Sequence, residues 1–411
     1  MSSATPISKE TITIQGGFGP IQAIEAPVTL EIKPLTVLIG TQGTGKSLIS
    51  QILYFFHDYE YLLSNYFESL TPNSTVRKIL EGIRSGELTN RALASFLTSP
   101  KVEIIYTKND LNSFENQQKI TLYKSNRKIN PIGNFKKEID RYLKDLFADP
   151  SLSGKHLPKS IFVPAERTFF SRFINSNSTI LGNRALPITM REFAKVLSQV
   201  SDIHQFWDTN IQEKPKAALD IDNLVKNALG GRAISAKTGP YARKWQWIPE
   251  ETHQPLEIEM ASSGQMETWP LVSTAQALLG FPQSERPLFI HIEEPETHLH
   301  PEAQVAIIKM LAYLVNQGFR LVITTHSLVV LYTLNNLILA YEQLNDESVD
   351  GMPEIETRIA PEMLSAYLFS QGKIQNIVTE SGKIDEGLLG SVLGNLEIQF
   401  NQLMTYNLWS K

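Results

Sequence analysis

One segment constrains this chain more than any other. Gly40-Thr41-Gln42-Gly43-Thr44-Gly45-Lys46-Ser47 fits GxxxxGK[ST] at every fixed position. It follows a buried-strand run, Leu35-Thr36-Val37-Leu38-Ile39, and precedes a helical pattern that starts at Ser47-Leu48-Ile49-Ser50-Gln51-Ile52-Leu53. A strand that turns into a helix through glycines leaves successive backbone N–H groups pointing inward, with no Cβ in the way. The helix N-terminus adds partial positive charge, so the loop is suited to a phosphate. Residues 40–47 are expected to cradle a nucleotide. Lys46 would reach its β- and γ-phosphates, and the Ser47 hydroxyl would bind Mg²⁺.

A second segment supplies carboxylates. Leu288-Phe289-Ile290-His291-Ile292 is an apolar strand that ends in Glu293-Glu294-Pro295. Side chains alternate along a strand, so adjacent acids point differently and can take different tasks. Glu293 is assigned to Mg²⁺, directly or through water, and Glu294 to polarising an attacking water. A pair of acids at a strand end is otherwise an ordinary solvent-facing terminus; the upstream phosphate loop favours the metal role. Thr324-Thr325-His326-Ser327 closes the next strand. There His326 could sense a γ-phosphate, although a lone histidine is more often structural. Ala261-Ser262-Ser263-Gly264-Gln265 opens a helical run from Met266. Serine and glycine at a helix start present N–H groups and a hydroxyl to an anion, and an ordinary N-cap explains the same residues.

Composition narrows the chemistry further. The 411 residues include no cysteine, which removes disulfides, thiolate metal sites and a cysteine nucleophile. A formal charge of −5 gives no general case for nucleic-acid binding. Two basic clusters stand out, Arg127/Lys128 and Lys136/Lys137/Arg141/Lys144. The second is interleaved with Glu138 and Asp140, as on a solvated helix face. The N-terminus is polar, and no uncharged apolar run reaches the length of a bilayer crossing, so a soluble cytoplasmic protein with no membrane partner is expected.

Strands alternating with helices argue for a mostly parallel α/β sheet. Thr11–Gly40 reads as two or three strands with tight turns, Ser160–Pro164 as a strand, 189–230 as mainly helical, Pro301–Asn316 as a helix and Leu321–Thr325 as a strand. Between the first βα unit and the later ones, apolar residues recur at helical spacing. The groups are Leu63, Phe67 and Leu70; Ile79 and Ile83; and Leu93, Phe96 and Leu97. Two strand-like pieces follow, Val102–Tyr106 and Lys119–Tyr123. Then comes an amphipathic helix over 135–148, on Phe135, Ile139, Tyr142, Leu143, Leu146 and Phe147.

Taken in order, these elements resemble the ABC-type ATPase head shared by SMC and RecF proteins and OLD-family nucleases. Gly40–Ser47 looks like Walker A and Leu288–Glu294 like Walker B. Ala261–Gln265 looks like the signature motif, Pro295–His300 occupies the D-loop, and His326 looks like the switch histidine. Gly17–Ile21, Glu294–Pro301 and Phe162-Val163-Pro164-Ala165-Glu166-Arg167, similar to an "IPAER" element, are nearest to bacterial anti-phage defence ATPases of the PARIS type. The resemblance implies a P-loop head with a mixed or parallel sheet and a mainly helical insertion between Walker A and signature. Its expected parts are 1–58, the first part of the head; 59–158, a helical or mixed insertion; 159–188, a return to the head; 189–254, mainly helical; and 255–411, the second part of the head.

The resemblance also implies a mechanism. Two ATP molecules with Mg²⁺ sit at a two-fold seam between two copies of the chain. Ser262, Ser263, Gly264 and Gln265 contact the nucleotide held by the other copy, and Arg167 lies near the nucleotide or the seam. Glu166/Arg167 reads equally as a structural ion pair. Two positions depart from the family pattern: Glu293 replaces the usual Walker B aspartate, and His300 the usual D-loop aspartate. No Q-loop glutamine is assignable, though it is expected near 161–167.

Nuclease motifs are scarce. Asp220-Ile221-Asp222 is the one DxD, in a helix-like stretch, and reads as a solvated face. The stretch after Ser327 is expected to be too short for a full Toprim domain. His291, His298 and His300 with Glu294 and Glu296 could form a metal cluster, but strand alternation opposes it. The expected function is an ATPase that dimerises or oligomerises through ATP and gates a separately encoded effector, a Toprim-type or other nuclease or toxin, answering a phage trigger protein. The alternatives are a RecF-like ATPase that clamps DNA and a nucleotide-dependent scaffold with little turnover.

Overall fold

The computed structural model describes residues 10–66, 79–80, 83, 97–108, 116–123, 128–148, 158–175, 186–237, 243–344, 347–385, 387, 398–399 and 401–402. Strands β1 (Glu10–Phe18) and β2 (Ile21–Glu31) pair as an antiparallel hairpin across Gly19-Pro20. β3 (Leu35–Gly40) then runs into α1 (Lys46–Tyr66) through the phosphate loop. Strands β4 (Lys101–Lys108), β5 (Asn116–Tyr123) and β6 (Lys128–Ile132) add to the hairpin in the order β2-β1-β4-β5-β6, and every pairing in this sheet is antiparallel. The sequence places 59–158 in an insertion. In the structure its strands complete the sheet begun by the first residues, and α2 (Asn134–Ala148) packs beside them.

The second sheet holds β7 (Ser160–Val163), β11 (Phe289–Glu293), β12 (Arg320–Thr325), β13 (Leu364–Ser370) and β14 (Lys373–Asn376) around β3. Its order is β14-β13-β3-β12-β11-β7, parallel throughout except for β14. This is the expected α/β class with a mixed, mostly parallel sheet. Between the halves lie α3 (Arg167–Phe173), α4 (Ile188–Thr209) and α5 (Lys216–Leu229). Gly230, left-handed at φ 67°, ends α5. A small antiparallel sheet of β8 (Gly231–Lys237), β9 (Arg243–Pro249) and β10 (Leu256–Glu257) follows, so only the first part of 189–254 is helical. Helices α6 (Ser263–Leu279), α7 (Pro301–Asn316) and α8 (Leu328–Leu344) complete the chain's second half.

Period-two alternation sorts the central strands onto two cores. Leu38, Phe162, Val322 and Phe369 face α1 and the antiparallel sheet. Their neighbours Val37, Ile39, Ile161, Val163, Ile290, Ile292, Leu321 and Ile323 face the other helices. Both faces of the sheet are therefore covered, which is why its strands read as continuous apolar runs. On α2, Phe135, Ile139, Leu143 and Leu146 are buried as the pattern predicts, while Lys136, Lys137, Arg141 and Lys144 are exposed. Phe67, Leu70, Leu93, Phe96 and Arg127 lie outside the described residues, as do the side chains of Lys128 and Phe147.

Candidate functional site

The phosphate loop emerges at the carboxyl end of β3, between the ends of β12 and β13. Crevices at the carboxyl ends of parallel strands are where ligands bind in such sheets. Gly40 has φ 152°, and a Cβ there would stand 2.2 Å from the Phe369 carbonyl oxygen. Gly45 has φ 103°, with Ile21 Cγ1 3.0 Å from where its Cβ would be. A side chain at Gly40 would displace a strand, and one at Gly45 would press on the Ile21 and Pro20 side chains from a backbone angle that favours glycine. Thr41, Gln42 and Gly43 are exposed, and the Thr44 hydroxyl closes the loop by donating to the Thr41 carbonyl at 2.8 Å. Lys46 is buried, its Nζ donating to the carbonyls of Gly40 at 2.7 Å and Thr41 at 2.8 Å. Burial pushes its pKa down, and the nearby charges of Glu294 and Glu296 work against that.

The carboxylates end β11, two strands from β3. Glu293 shares parity with His291, so it points toward α1. There its carboxyl lies beside the Ser47 hydroxyl and the Ala165 N–H, with Gln51 Nε2 at 3.4 Å. Burial is the main reason its pKa is pushed up to about 7; the adjacent Ser47 hydroxyl lowers it and the charge of Glu166 raises it. A serine hydroxyl beside a buried carboxylate is an all-oxygen donor pair, and it fits a hard cation such as Mg²⁺. Among the described residues no group of three or more His, Cys, Asp or Glu could hold a metal by itself. A cation at Ser47 and Glu293 would therefore need oxygens from a nucleotide or from water.

Glu294 turns the other way. Its φ is 44°, uncommon for a residue with a Cβ. Three bonds hold it: its N–H donates to the Thr324 carbonyl at 2.9 Å, and its carbonyl accepts from Arg167 Nη2 at 2.8 Å and from the Thr297 hydroxyl at 3.0 Å. His326 stands across from it, with Nδ1 3.7 Å from Glu294 Oε1 and 3.5 Å from Glu296 Oε1. Glu296 is buried and fixes the end of β12, accepting from the Thr325 hydroxyl at 2.5 Å and the His326 N–H at 2.9 Å. The loop lysine, both acids and His326 thus share one end of the sheet.

Ser262 caps α6, its hydroxyl and the Gln265 side chain forming a reciprocal capping box. Gln265 Nε2 also donates to the Leu229 carbonyl at 3.0 Å. Ser262 and Ser263 are exposed and Gly264 is partly so, which leaves this helix start open to a second molecule.

Arg167 requires a correction. It is fully buried and spends its donors on protein carbonyls: Glu267 from Nε at 2.9 Å, Pro164 and Glu293 from Nη1 at 2.9 and 2.6 Å, and Glu294 from Nη2. It is neither a ligand-facing group nor an ion pair with Glu166; its carboxylate neighbour is Glu267, at 3.6 Å. One other expectation changes as well. Asp222 is buried, bonded to Lys214 at 2.8 Å and Gln276 at 2.7 Å, while Asp220 meets the Tyr313 hydroxyl at 3.2 Å; the DxD is not a solvated pair. His291 is separated from the exposed His298 and His300 and lies under α1, within bonding distance of Ser50 at 3.3 Å and of His57 at 3.0 Å.

That last contact belongs to a buried chain the sequence did not announce. His57 Nε2 is 2.6 Å from Glu10 Oε1, and Arg320 Nη1 is 2.7 Å from Glu10 Oε2. Burial holds both histidines below their usual pKa. With the imidazoles neutral, each ring can donate on one side and accept on the other, from Ser50 through to the Glu10 carboxylate. Gln51 was also missed. It stands four residues after Ser47 on α1, and that spacing places it on the same face.

A phosphate loop at the end of a parallel strand, with an acid pair two strands away, defines a P-loop nucleoside triphosphatase of the α/β class. The AAA ATPase domain model matches residues 95–331, more than half of the chain, and the chain belongs to that family. The match takes in Ser262, the acid pair and His326; the phosphate loop lies upstream of it. No curated protein matches the chain. Among solved structures, it is similar to an Smc head bound to the C-winged helix domain of ScpA. Identity is 14%, covering 90% of this chain and 98% of that one, with a TM-score of 0.46. An Smc head with an extended coiled coil from Pyrococcus furiosus, bound to the C-terminal domain of ScpA, is 12% identical over 95% and 99% of the chains, with a TM-score of 0.42. The SMC head domain from Thermotoga maritima is 12% identical over 91% and 100%, with a TM-score of 0.41. No helix among the described residues is long and apolar enough to cross a membrane.

Proposed function

We propose that this protein is a Mg²⁺-dependent, ABC-type ATPase whose two copies close on ATP, and that closure and hydrolysis gate a separately encoded effector, a nuclease or toxin, in anti-phage defence. One observation carries the ATPase reading: Lys46, the Ser47–Glu293 pair, Glu294 and His326 converge at one end of the sheet. Lys46 would exchange its two loop carbonyls for β- and γ-phosphate oxygens. Ser47 and Glu293 would hold Mg²⁺, which when bound neutralises phosphate charge. Glu294, aimed by its left-handed backbone, polarises the attacking water, and His326 hydrogen-bonds the γ-phosphate. Dimer closure is supported by the open start of α6, where exposed Ser262 and Ser263 follow Met260, a large apolar side chain that is 77% exposed. The effector role rests on the sequence resemblance to PARIS-type ATPases.

The test is direct. The purified chain should release phosphate from ATP with Mg²⁺, lose that activity in Lys46→Ala, and cut no DNA alone. Metal-dependent DNA cleavage by the pure chain would reject a separate effector. Co-purification with the product of the adjacent open reading frame, lost on ATP hydrolysis or on adding a trigger protein, would support gating.

A further inference from the structure

We infer that Arg167 is a positioning residue that couples the first turn of α6, where Ser262 sits, to the backbone that aims Glu294. The inference rests on the proposed closure of two copies over ATP. The guanidinium is planar and rigid, so groups bonded to its separate nitrogens keep a fixed relation. Nε takes the carbonyl of Glu267, in the second turn of α6. Nη1 and Nη2 take the consecutive carbonyls of Glu293 and Glu294. One buried side chain thus ties the capped helix start to the two peptide groups that set the direction of the Glu294 side chain.

The helix itself is built for such a tether. Pro270 lies inside α6 and has no N–H, so the Met266 carbonyl loses its intrahelical partner. That carbonyl accepts instead from the Ser171 hydroxyl at 2.6 Å, on α3, four residues after Arg167. The Thr168 hydroxyl, on the same short helix, donates to Glu267 Oε1. The beginning of α6 is therefore fastened to α3 at Met266 and Glu267, and α3 is fastened through Arg167 to the end of β11. A displacement of the α6 start by a phosphate at Ser262 would carry these carbonyls, and with them the guanidinium, toward a new position at Glu294. Its left-handed φ makes that residue the sensitive end. The backbone is held there by bonds, Arg167 Nη2 among them, and not by its own preference.

The experiment compares wild type, Arg167→Lys and Ser171→Ala for ATP affinity, ATP-dependent dimer mass and single-turnover hydrolysis. Lysine keeps the charge but cannot span three carbonyls from fixed nitrogens. Arg167→Lys should bind ATP and dimerise within about twofold of wild type, while hydrolysis within the dimer slows on the order of 10–100-fold. Ser171→Ala should slow it by a smaller factor in the same sense. A purely structural role would lower affinity, dimerisation and turnover together. That result, or a wild-type turnover rate in Arg167→Lys, overturns the coupling. Should Arg167→Lys not fold, a folded Ser171→Ala with unchanged turnover overturns it equally. A wild-type protein that neither hydrolyses ATP nor dimerises on it overturns the underlying reading, and the coupling with it. Normal wild-type behaviour beside a wild-type-like variant rejects the coupling alone.

Discussion

The proline in α6 makes a quantitative prediction about stability. Ser171 is fully buried, donates to the Met266 carbonyl at 2.6 Å and accepts from Trp269 Nε1 at 2.6 Å. Ser171→Ala leaves both groups in the core without a partner. Each orphaned buried group costs about 1–3 kcal/mol, so the substitution should destabilise the protein by about 2–6 kcal/mol. Pro270→Ala restores an N–H four residues after Met266, which gives that carbonyl a helical partner. In the double variant only the indole N–H remains unpaired. The double-mutant cycle should therefore show a favourable coupling of about 1–2 kcal/mol. Urea unfolding of the four proteins, followed by far-UV circular dichroism, measures this directly. A Ser171→Ala cost below about 0.5 kcal/mol, or additivity within about that margin, would refute the hydrogen-bond account of the helix start.

Three further predictions concern the loop, the acids and pH. Gly40→Ala should prevent folding or lower the melting temperature sharply, because its Cβ meets the Phe369 carbonyl. Gly43→Ala has nothing within 4 Å and φ 76°, so it should cost only about 1–2 kcal/mol; equal melting of the two variants would contradict the geometry. Glu294→Gln should keep ATP binding while turnover falls by about 10²–10⁴-fold, and multiple turnover at the wild-type rate would remove Glu294 from the water-activating role. Asp58, buried in α1 and accepting from the Lys159 and Ser160 N–H groups, is pushed up to about 7 chiefly by burial. Its folded pKa exceeds its unfolded one, so this group's contribution favours the folded state at acid pH and weakens as pH rises from about 4 to about 7. Urea midpoints at pH 5 and pH 8 should show wild type losing about 2 kcal/mol more than Asp58→Asn, and parallel behaviour would contradict this.

The parts of the site legible in the sequence are those with strict local geometry. Gly40, Gly45, Lys46 and Ser47 could be read because a phosphate cradle needs their spacing and their backbone freedom. The different orientations of Glu293 and Glu294 follow from strand alternation. What escaped depends on contacts distant in the chain. Val102–Tyr106 reads as a strand, but nothing local says that β4 pairs with β1, and antiparallel pairing between remote segments is fixed only by the assembled core. β13, with its alternating Leu364-Ser365-Ala366-Tyr367, carries a short strand signal, but nothing local says that it pairs with β3. Arg167 could not be placed because its side chain follows the angle between β7 and α3. Asp220 and Asp222, two apart on a helix, point to different neighbours, and only packing shows that one of them meets Gln276.

The central claim is that ATP joins two copies, one giving the phosphate loop and the other Ser262. The most direct measurement mixes Lys46→Ala with Ser262→Arg, each variant being inactive alone. A mixed dimer holds one composite site with both halves intact, so an equimolar mixture should recover roughly a quarter of wild-type phosphate release, if copies pair at random and sites act independently. Activity in Ser262→Arg alone, or no recovery on mixing proteins shown to co-assemble, would contradict the shared site.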